Sequence, residues 1–365
     1  LMALYGGYLD ARRLIHRIKP DVVVGFGGYP TLPPVMAASS LGVPTVIHEQ
    51  NAVMGRANRF LASRVSAIAG GFLPAGAGEH GDKIEETGNP VRPDVIAAAS
   101  TPFAPPGDGE PFNLLIFGGS QGAHFFSEVM PQVVNRMDEA SRNRLRVTQQ
   151  ARPEDEDELK RFYQVAGVSA EVSPFFNDMA QRIAKAHLVI CRSGASTVSE
   201  ISVIGRPAVL VPYPYALDHD QAANAKALEQ KRGAMVFRQS ELDPEKLSEI
   251  LVGLMEDGGR LADMAASAKA TGKPDAAERL ANLGADIIFH LAAIVSGEAE
   301  TEFDKGWKDL AERIVPHLNS PYLGANVYEK GTTTPAMPEY AIYEVDGVSV
   351  GVIGAVTEET PALVS

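Results

Sequence analysis

Short β-branched runs alternate with longer amphipathic stretches over most of the 365 residues. Asp21–Gly25 (DVVVG), Pro44–His48 (PTVIH), Ala67–Gly71, Leu114–Phe117, Leu188–Cys191 and Ala208–Val211 are near-continuous apolar runs, the pattern of strands buried on both faces. Between them, helical spacing predicts helices around 33–41, 55–63, 121–137, 153–166, 196–204, 221–230, 244–255 and 275–292. The alternation predicts an α/β protein of βαβ units with parallel sheets. A Pro/Gly-rich passage, Thr101–Pro111, interrupts the pattern and reads as an interdomain linker. After about Ser296 the texture changes, with Pro321, Pro335, Pro338 and a strand-like EVDGVSVGVIGAV.

The length exceeds one typical domain, so two or three units are expected. A net charge of −13 argues against a protein built to neutralise nucleic-acid phosphates. One cysteine, Cys191, cannot form an internal disulfide, which fits a reducing compartment. No run is long and apolar enough to span a bilayer, and the start lacks the order of a signal peptide. The chain opens instead as if partway through a helix.

Candidate chemistry sits where strands run into small-residue turns. In LLIFGGSQGA (114–123) a buried strand delivers the chain into glycines and then a helix, a geometry that favours bound phosphate or serves as a plain tight turn. CRSGASTVSE (191–200) repeats the arrangement, and Glu200 can either receive a diol or act as a capping-type carboxylate with Ser196 or Thr197. In VPYPYALDHDQAANA, Gln221 and Asn224 share a helical face. Asp218 and Asp220 flank His219 with no further His/Cys cluster, so helix N-terminal carboxylates are expected rather than a metal site.

Three polar loops follow strands nearer the start: GFGGYP (25–30, with Gly27, Gly28 and Tyr29), HEQN (48–51) and GNPVRPDV (88–95). Ligands of open α/β sheets gather at the carboxyl ends of strands, so these loops are expected to form a cleft wall. His48 reads as a structural histidine, with Glu49 and Asn51 the better functional candidates. Arg92 can pair with a phosphate or cap the strand end. At 1–19, Leu1, Leu4, Tyr5, Tyr8 and Leu9 with Arg12, Arg13, Arg17 and Lys19 read either as a lipid-adsorbing stripe or as a core helix.

GFGGYP, HEQNAVMGRAN, GNPVR, GGSQGA, CRSGASTVSE and PYPYALDHDQAANA, in this order over residues 1–292, resemble the MurG family of bacterial glycosyltransferases. The resemblance implies the GT-B architecture: two Rossmann-like domains facing each other across a cleft, here 1–96 (acceptor-binding, incomplete) and 97–292 (UDP-sugar-binding). The helix 275–292 would pack back toward the first domain. It also implies an inverting transfer of N-acetylglucosamine from UDP-N-acetylglucosamine to undecaprenyl-linked lipid I, giving lipid II for peptidoglycan, with no cofactor and no metal. Work at the inner face of the cytoplasmic membrane follows, peripherally bound.

By motif, Ser120 and Gln121 would meet the donor's phosphates, Arg92 the nucleotide, and the backbone at Phe176 the uracil. Ala195, Ser196, Thr197, Val198, Ser199 and Glu200 would hold sugar and phosphates, with Glu200 on the ribose hydroxyls. Gln221 and Asn224 would read N-acetylglucosamine hydroxyls. Gly27, Gly28, Tyr29 and Asn51 would face the acceptor, with Glu49 as the catalytic carboxylate. Ser127 stands where many members carry Asn. The family's opening GTGGH loop, which bears a favoured general-base histidine, has no counterpart here. A UDP-N-acetylglucosamine-binding remnant in a chimeric chain therefore stands as the alternative to a working transferase. From Glu302 on, EFDKGWKDLAERI and the strand-like tail resemble an internal piece of bacterial 5'-nucleotidase metallophosphoesterases, so 300–365 reads as a partial α/β tail. Glu300 and Thr301 occupy the places of that family's Asn-His pair.

Overall fold

The computed structural model describes residues 2–20, 22–76, 78–216 and 220–283, and the backbone of two strands at 340–345 and 348–353. In chain order the elements of the first stretch are α1 (Met2–Ile18), β1 (Val23–Gly25), α2 (Leu32–Ser40), β2 (Thr45–Glu49), α3 (Arg56–Leu61), β3 (Ala67–Gly70), β4 (Ile84–Glu86) and α4 (Pro93–Ala98). There follow β5 (Phe112–Phe117), α5 (Gly119–Arg136), α6 (Glu139–Arg144), β6 (Leu145–Gln150), α7 (Pro153–Val165), β7 (Ser169–Ser173) and α8 (Met179–Lys185). Next come β8 (Leu188–Cys191), α9 (Ala195–Ile204), β9 (Ala208–Leu210), α10 (Asp220–Gln230), β10 (Ala234–Val236), α11 (Pro244–Glu256), α12 (Gly258–Thr271) and α13 (Ala276–Asn282). Strands β11 (Tyr340–Val345) and β12 (Val348–Ile353) pair antiparallel. The rest of the tail, including the EFD segment, lies outside the described residues.

The chain divides into two compact units. Among the described residues, the first comprises those up to Gln50, Met54–Thr87 and those from Ala277; the second comprises Asn51–Val53 and Gly88–Ala276. The sequence reading put this division at 96/97. The first unit carries a parallel sheet in the order β1-β2-β3-β4. Its core joins Val23, Val24, Val46, Ile47 and Ile68 to Ile15 of α1, Val35 of α2, Leu61 of α3 and Leu280 of α13. On α1, Ala11, Ile15 and Ile18 are buried while Leu4 and Tyr5 are exposed.

The second unit carries a parallel sheet in the order β10-β9-β8-β5-β6-β7, the strand order of a Rossmann fold. Both faces are covered, which is why its central strands read as unbroken apolar runs. Leu114, Ile116, Leu188, Ile190 and Val209 point into a core with Phe126 and Val133 of α5, Leu159 of α7 and Leu251 of α11. The alternate residues Leu115, Val189, Cys191 and Leu210 are equally buried. The connections β5→β6 and β8→β9 step across the sheet in opposite directions. Right-handed crossovers then put α5 and α9 on opposite faces.

Segment 88–103 is fastened to this unit. Helix α4 packs on α8 and α9. Asn89 Nδ2 donates to Ser199 Oγ (3.0 Å) and Lys269 Nζ to the Ala99 carbonyl (2.5 Å). The Arg206 guanidinium donates to the Thr101 carbonyl (3.0 Å) and stacks over Phe103. The Pro/Gly-rich passage 101–111 is irregular, as its composition requires, and lies inside the second unit. Gly88, at φ +83°, admits no side chain: a Cβ would sit 2.8 Å from Lys273 Cβ.

Candidate functional site

Strands β5 and β8 are neighbours whose connections leave in opposite directions, so a crevice opens between their carboxyl ends. The helices starting there, α5 and α9, have Gly118 and Gly194 at their N-caps, with no side-chain capping bond. Three helices of the unit are capped by aspartates, Asp138 accepting from Ser141 N, Asp243 from Lys246 N and Asp257 from Arg260 N, while α4, α7 and α8, away from the switch point, also lack a side-chain capping bond. Two first turns at the switch point are thus left without a carboxylate cap, and their N–H groups and positive dipole ends suit an anion. Ser120 and Gln121 lie in the first turn of α5; Ala195, Ser196 and Thr197 lie in the first turn of α9. Ser196 is exposed, whereas Val198 is buried in the core and Ser199 Oγ bonds the Ala195 carbonyl.

Glu200 sits one turn further along α9, its side chain 15% exposed. Arg92 Nε and Nη2 both donate to its Oε1 (3.3 and 3.2 Å). Burial pushes the Glu200 carboxyl up, and the Arg92 guanidinium opposes that shift. Of the two roles open to Glu200 in the sequence, the capping one is not what forms: Gly194 holds the N-cap and the carboxylate engages Arg92.

Arg192, which sequence reasoning passed over, follows β8 directly. Its guanidinium is buried, donates to the Val211 and Pro212 carbonyls and to Gln239 Oε1, and stacks against Phe125, Phe126 and Tyr213. Burial pushes it down to about 10, so it stays charged at neutral pH. The apolar strand ending in Cys-Arg was the available signal. Gln221 joins the neighbouring loops: its Oε1 accepts from Ser193 N (3.3 Å) and Tyr213 N (3.0 Å), and its carbonyl from Ser193 Oγ (2.8 Å). Asn224 is buried, its Oδ1 accepting from Ala52 N (2.8 Å) and its Nδ2 donating to Asn51 Oδ1 (2.9 Å). Phe176, after β7, is buried beneath the Arg182 guanidinium. Asp220 opens α10, while Asp218 and His219 lie outside the described residues.

In the first unit, the loop after β1 turns through Gly27 and Gly28, both at positive φ, before the exposed Tyr29. Thr31 Oγ1 donates to the Gly27 carbonyl, and Gln50 Nε2 to the Phe26 carbonyl (3.0 Å). Glu49 ends β2, buried, its Oε2 accepting from Gly55 N and Asn58 Nδ2 (both 2.9 Å). His48 is buried beside the Phe26 ring. Among the described residues no helix is long and apolar enough to cross a membrane.

Two parallel-sheet α/β units, one of them in Rossmann order, give the chain a GT-B type fold, and the family matches make it a glycosyltransferase. Residues 113–280 match the glycosyltransferase family 28 C-terminal domain, and residues 1–69 the family 28 N-terminal domain. The UDP-N-acetylglucosamine--N-acetylmuramyl-(pentapeptide) pyrophosphoryl-undecaprenol N-acetylglucosamine transferase of Sinorhizobium fredii (strain NBRC 101917 / NGR234) is 62% identical over 300 residues, 82% of this chain and 78% of that protein. The enzyme of the same name from Rhizobium meliloti (strain 1021) is 61% identical over the same shares. The crystal structure of Acinetobacter baumannii MurG superposes with TM-score 0.64 at 32% identity, over 77% of this chain and 79% of that one. The chain belongs to glycosyltransferase family 28, in the MurG family. A putative UDP-N-acetylglucosamine 2-epimerase from Listeria monocytogenes (TM-score 0.55, 14% identity, 76% and 77% covered) shares the fold alone.

Proposed function

We propose that this chain is an inverting hexosyltransferase that moves N-acetylglucosamine from UDP-N-acetylglucosamine to lipid I, giving lipid II for peptidoglycan and hence for cell shape and division. The observation that carries the donor half is the pair of glycine-capped helix N-termini, α5 and α9, beside the Glu200 carboxylate. In this reading the diphosphate lies against the first turns that hold Ser120, Gln121 and Ala195 to Thr197. Glu200 receives the ribose diol and the Phe176 backbone meets the uracil. Gln221 and Asn224 address the sugar. The acceptor hydroxyl attacks the anomeric carbon, the bond to the diphosphate oxygen breaks with its electron pair, and UDP leaves with its charge held by fixed main-chain dipoles. Gly27, Gly28, Tyr29 and Asn51 face the acceptor, and Glu49 is the carboxylate assigned to its proton. The reaction runs at the inner face of the cytoplasmic membrane, where the lipid acceptor resides, with α1 offering Leu4 and Tyr5 to the surface. The tail 302–365 is read as a metallophosphoesterase-like segment outside this chemistry.

The test is transfer of labelled N-acetylglucosamine from its UDP ester to lipid I in detergent, with calorimetric titration of UDP in parallel. Labelled lipid II formed with stoichiometric UDP release supports the reading. Saturable UDP binding without transfer supports the remnant. A folded chain that binds neither UDP nor UDP-N-acetylglucosamine overturns the donor site.

A further inference from the structure

We infer that Arg92 is a positioning residue that acts through Glu200: it fixes the carboxylate's orientation and charge, leaving Oε2 as the oxygen offered to a ligand diol. The inference rests on the proposed donor site. Both guanidinium contacts converge on one oxygen, Oε1, at 3.3 and 3.2 Å. Among the described residues Glu200 Oε2 accepts no hydrogen bond. The Arg92 backbone is itself held, since it stands at the N-cap position of α4, and the packing of α4 on α8 and α9 together with the Asn89–Ser199 bond just before it ties the segment to the helix bearing Glu200. A side chain reaching from this fixed segment has one acceptor in range besides Asp94, whose Oδ2 lies 3.7 Å from Arg92 Nη1.

The pairing addresses a specific difficulty. A carboxyl group accepts both hydroxyls of a diol most strongly when ionised, and burial of Glu200 works against ionisation. Arg92 and Asp94, both from the segment packed against α9, are the charged groups that face Glu200 among the described residues. Arg92 favours the charged form and Asp94 opposes it. Because half of the Arg92 side chain is exposed, its effect on Glu200 is screened and modest rather than large.

Five chains decide the matter: the wild type, Arg92→Met, Arg92→Lys, Arg92→Met/Glu200→Gln, and Glu200→Gln alone as the reference for the last. Titration with UDP and with uridine, between about pH 5.5 and pH 8.5, measures affinity. Carboxyl ¹³C NMR follows the titration of Glu200 without ligand. Arg92→Met is expected to weaken uridine and UDP by the same factor, roughly threefold at the acid end and less as pH rises. The Glu200 titration moves upward in that variant, Arg92→Lys restores part of it, and Arg92→Met adds no loss on top of Glu200→Gln. Loss of UDP affinity with uridine binding unchanged would show direct contact with phosphate and overturn the inference. An unmoved Glu200 titration overturns it without any ligand. Wild-type chain that binds neither uridine nor UDP removes the donor site itself, a failure the NMR titration tells apart.

Discussion

Arg206 is the largest side chain fully buried in the second unit, 1% exposed, and its partners are backbone carbonyls. Nε donates to Ala184 O (2.9 Å), Nη1 to Ile204 O (3.2 Å) and Gly205 O (2.9 Å), and Nη2 to Thr101 O (3.0 Å) and Ala184 O (2.5 Å). It ties the turn after α9, the end of α8 and the passage after α4 into one knot. Arg206→Met keeps the stem and removes every donor, leaving four carbonyls short of a partner. At about 1–3 kcal/mol for each buried group left unsatisfied, the gross loss is near 8 kcal/mol. Relief of burying a guanidinium, which burial pushes down to about 10, returns part of that. A net loss of about 3–5 kcal/mol remains. With a urea dependence of about 2 kcal/mol per M, the unfolding midpoint should fall by roughly 2 M. Arg206→Lys, with three donors on one nitrogen, should recover about half. A Met variant within about 1 kcal/mol of the wild type would refute the reasoning and show the cradle to be replaceable by apolar packing.

Gly88→Ala forces a side chain into a left-handed residue against Lys273 and should cost about 2–3 kcal/mol by chemical unfolding. Tyr163→Phe strips the buried Gln149 Oε1 of its 2.6 Å hydroxyl partner; a loss of about 1–2 kcal/mol is expected, recovered at least partly by Tyr163→Phe/Gln149→Leu. Glu49→Gln still offers an oxygen to Gly55 N and Asn58, so transfer surviving in that variant would assign Glu49 to holding its loop, and transfer lost in a folded variant to the proton. His187 Nδ1 accepts the Asn113 N–H, and burial, with the Arg206 charge, lowers its pKa. Its contribution is whole above about pH 6.5 and lost as pH falls from there through the lowered folded value. His124, raised by its bond to Asp155, contributes fully below about pH 6.5 and loses that as pH rises through the raised value. His187→Gln and His124→Asn should therefore flatten opposite limbs of the stability–pH curve.

Strands buried on both faces announced themselves, which is why β1, β2, β3, β5, β8 and β9 were legible and the parallel α/β class followed. Those that escaped had other reasons. Strand β6 alternates buried and half-buried residues and ends in Thr148, Gln149 and Gln150; β7 is an edge strand with three exposed residues; β4 and β10 hold three residues each. Among helices, α8 and α4 are too short for a periodic signal, and α12 buries only Leu261 and Met264 beside two alanines, a weak apolar stripe. The glycine–serine turns at 118–122 and 193–196 were legible because the residues of each turn in the proposed site are neighbours in sequence. The Arg92–Glu200 and Asn89–Ser199 pairs span 108 and 110 residues, so only folding joins them. The cradle of Arg206 was invisible for a different reason: carbonyls carry no residue identity.

The first unit is interrupted by the second. Leu280, fully buried in the first unit's core, lies on the far side of Gly88–Ala276 in the chain. On a ribosome the opening sheet therefore emerges with a gap in its packing. At about 5–20 residues per second, that gap stays open for roughly 10–40 s while the whole of the second unit is made. The second unit, almost continuous in sequence, is free to fold as it appears, and the part synthesised first is the last to be finished.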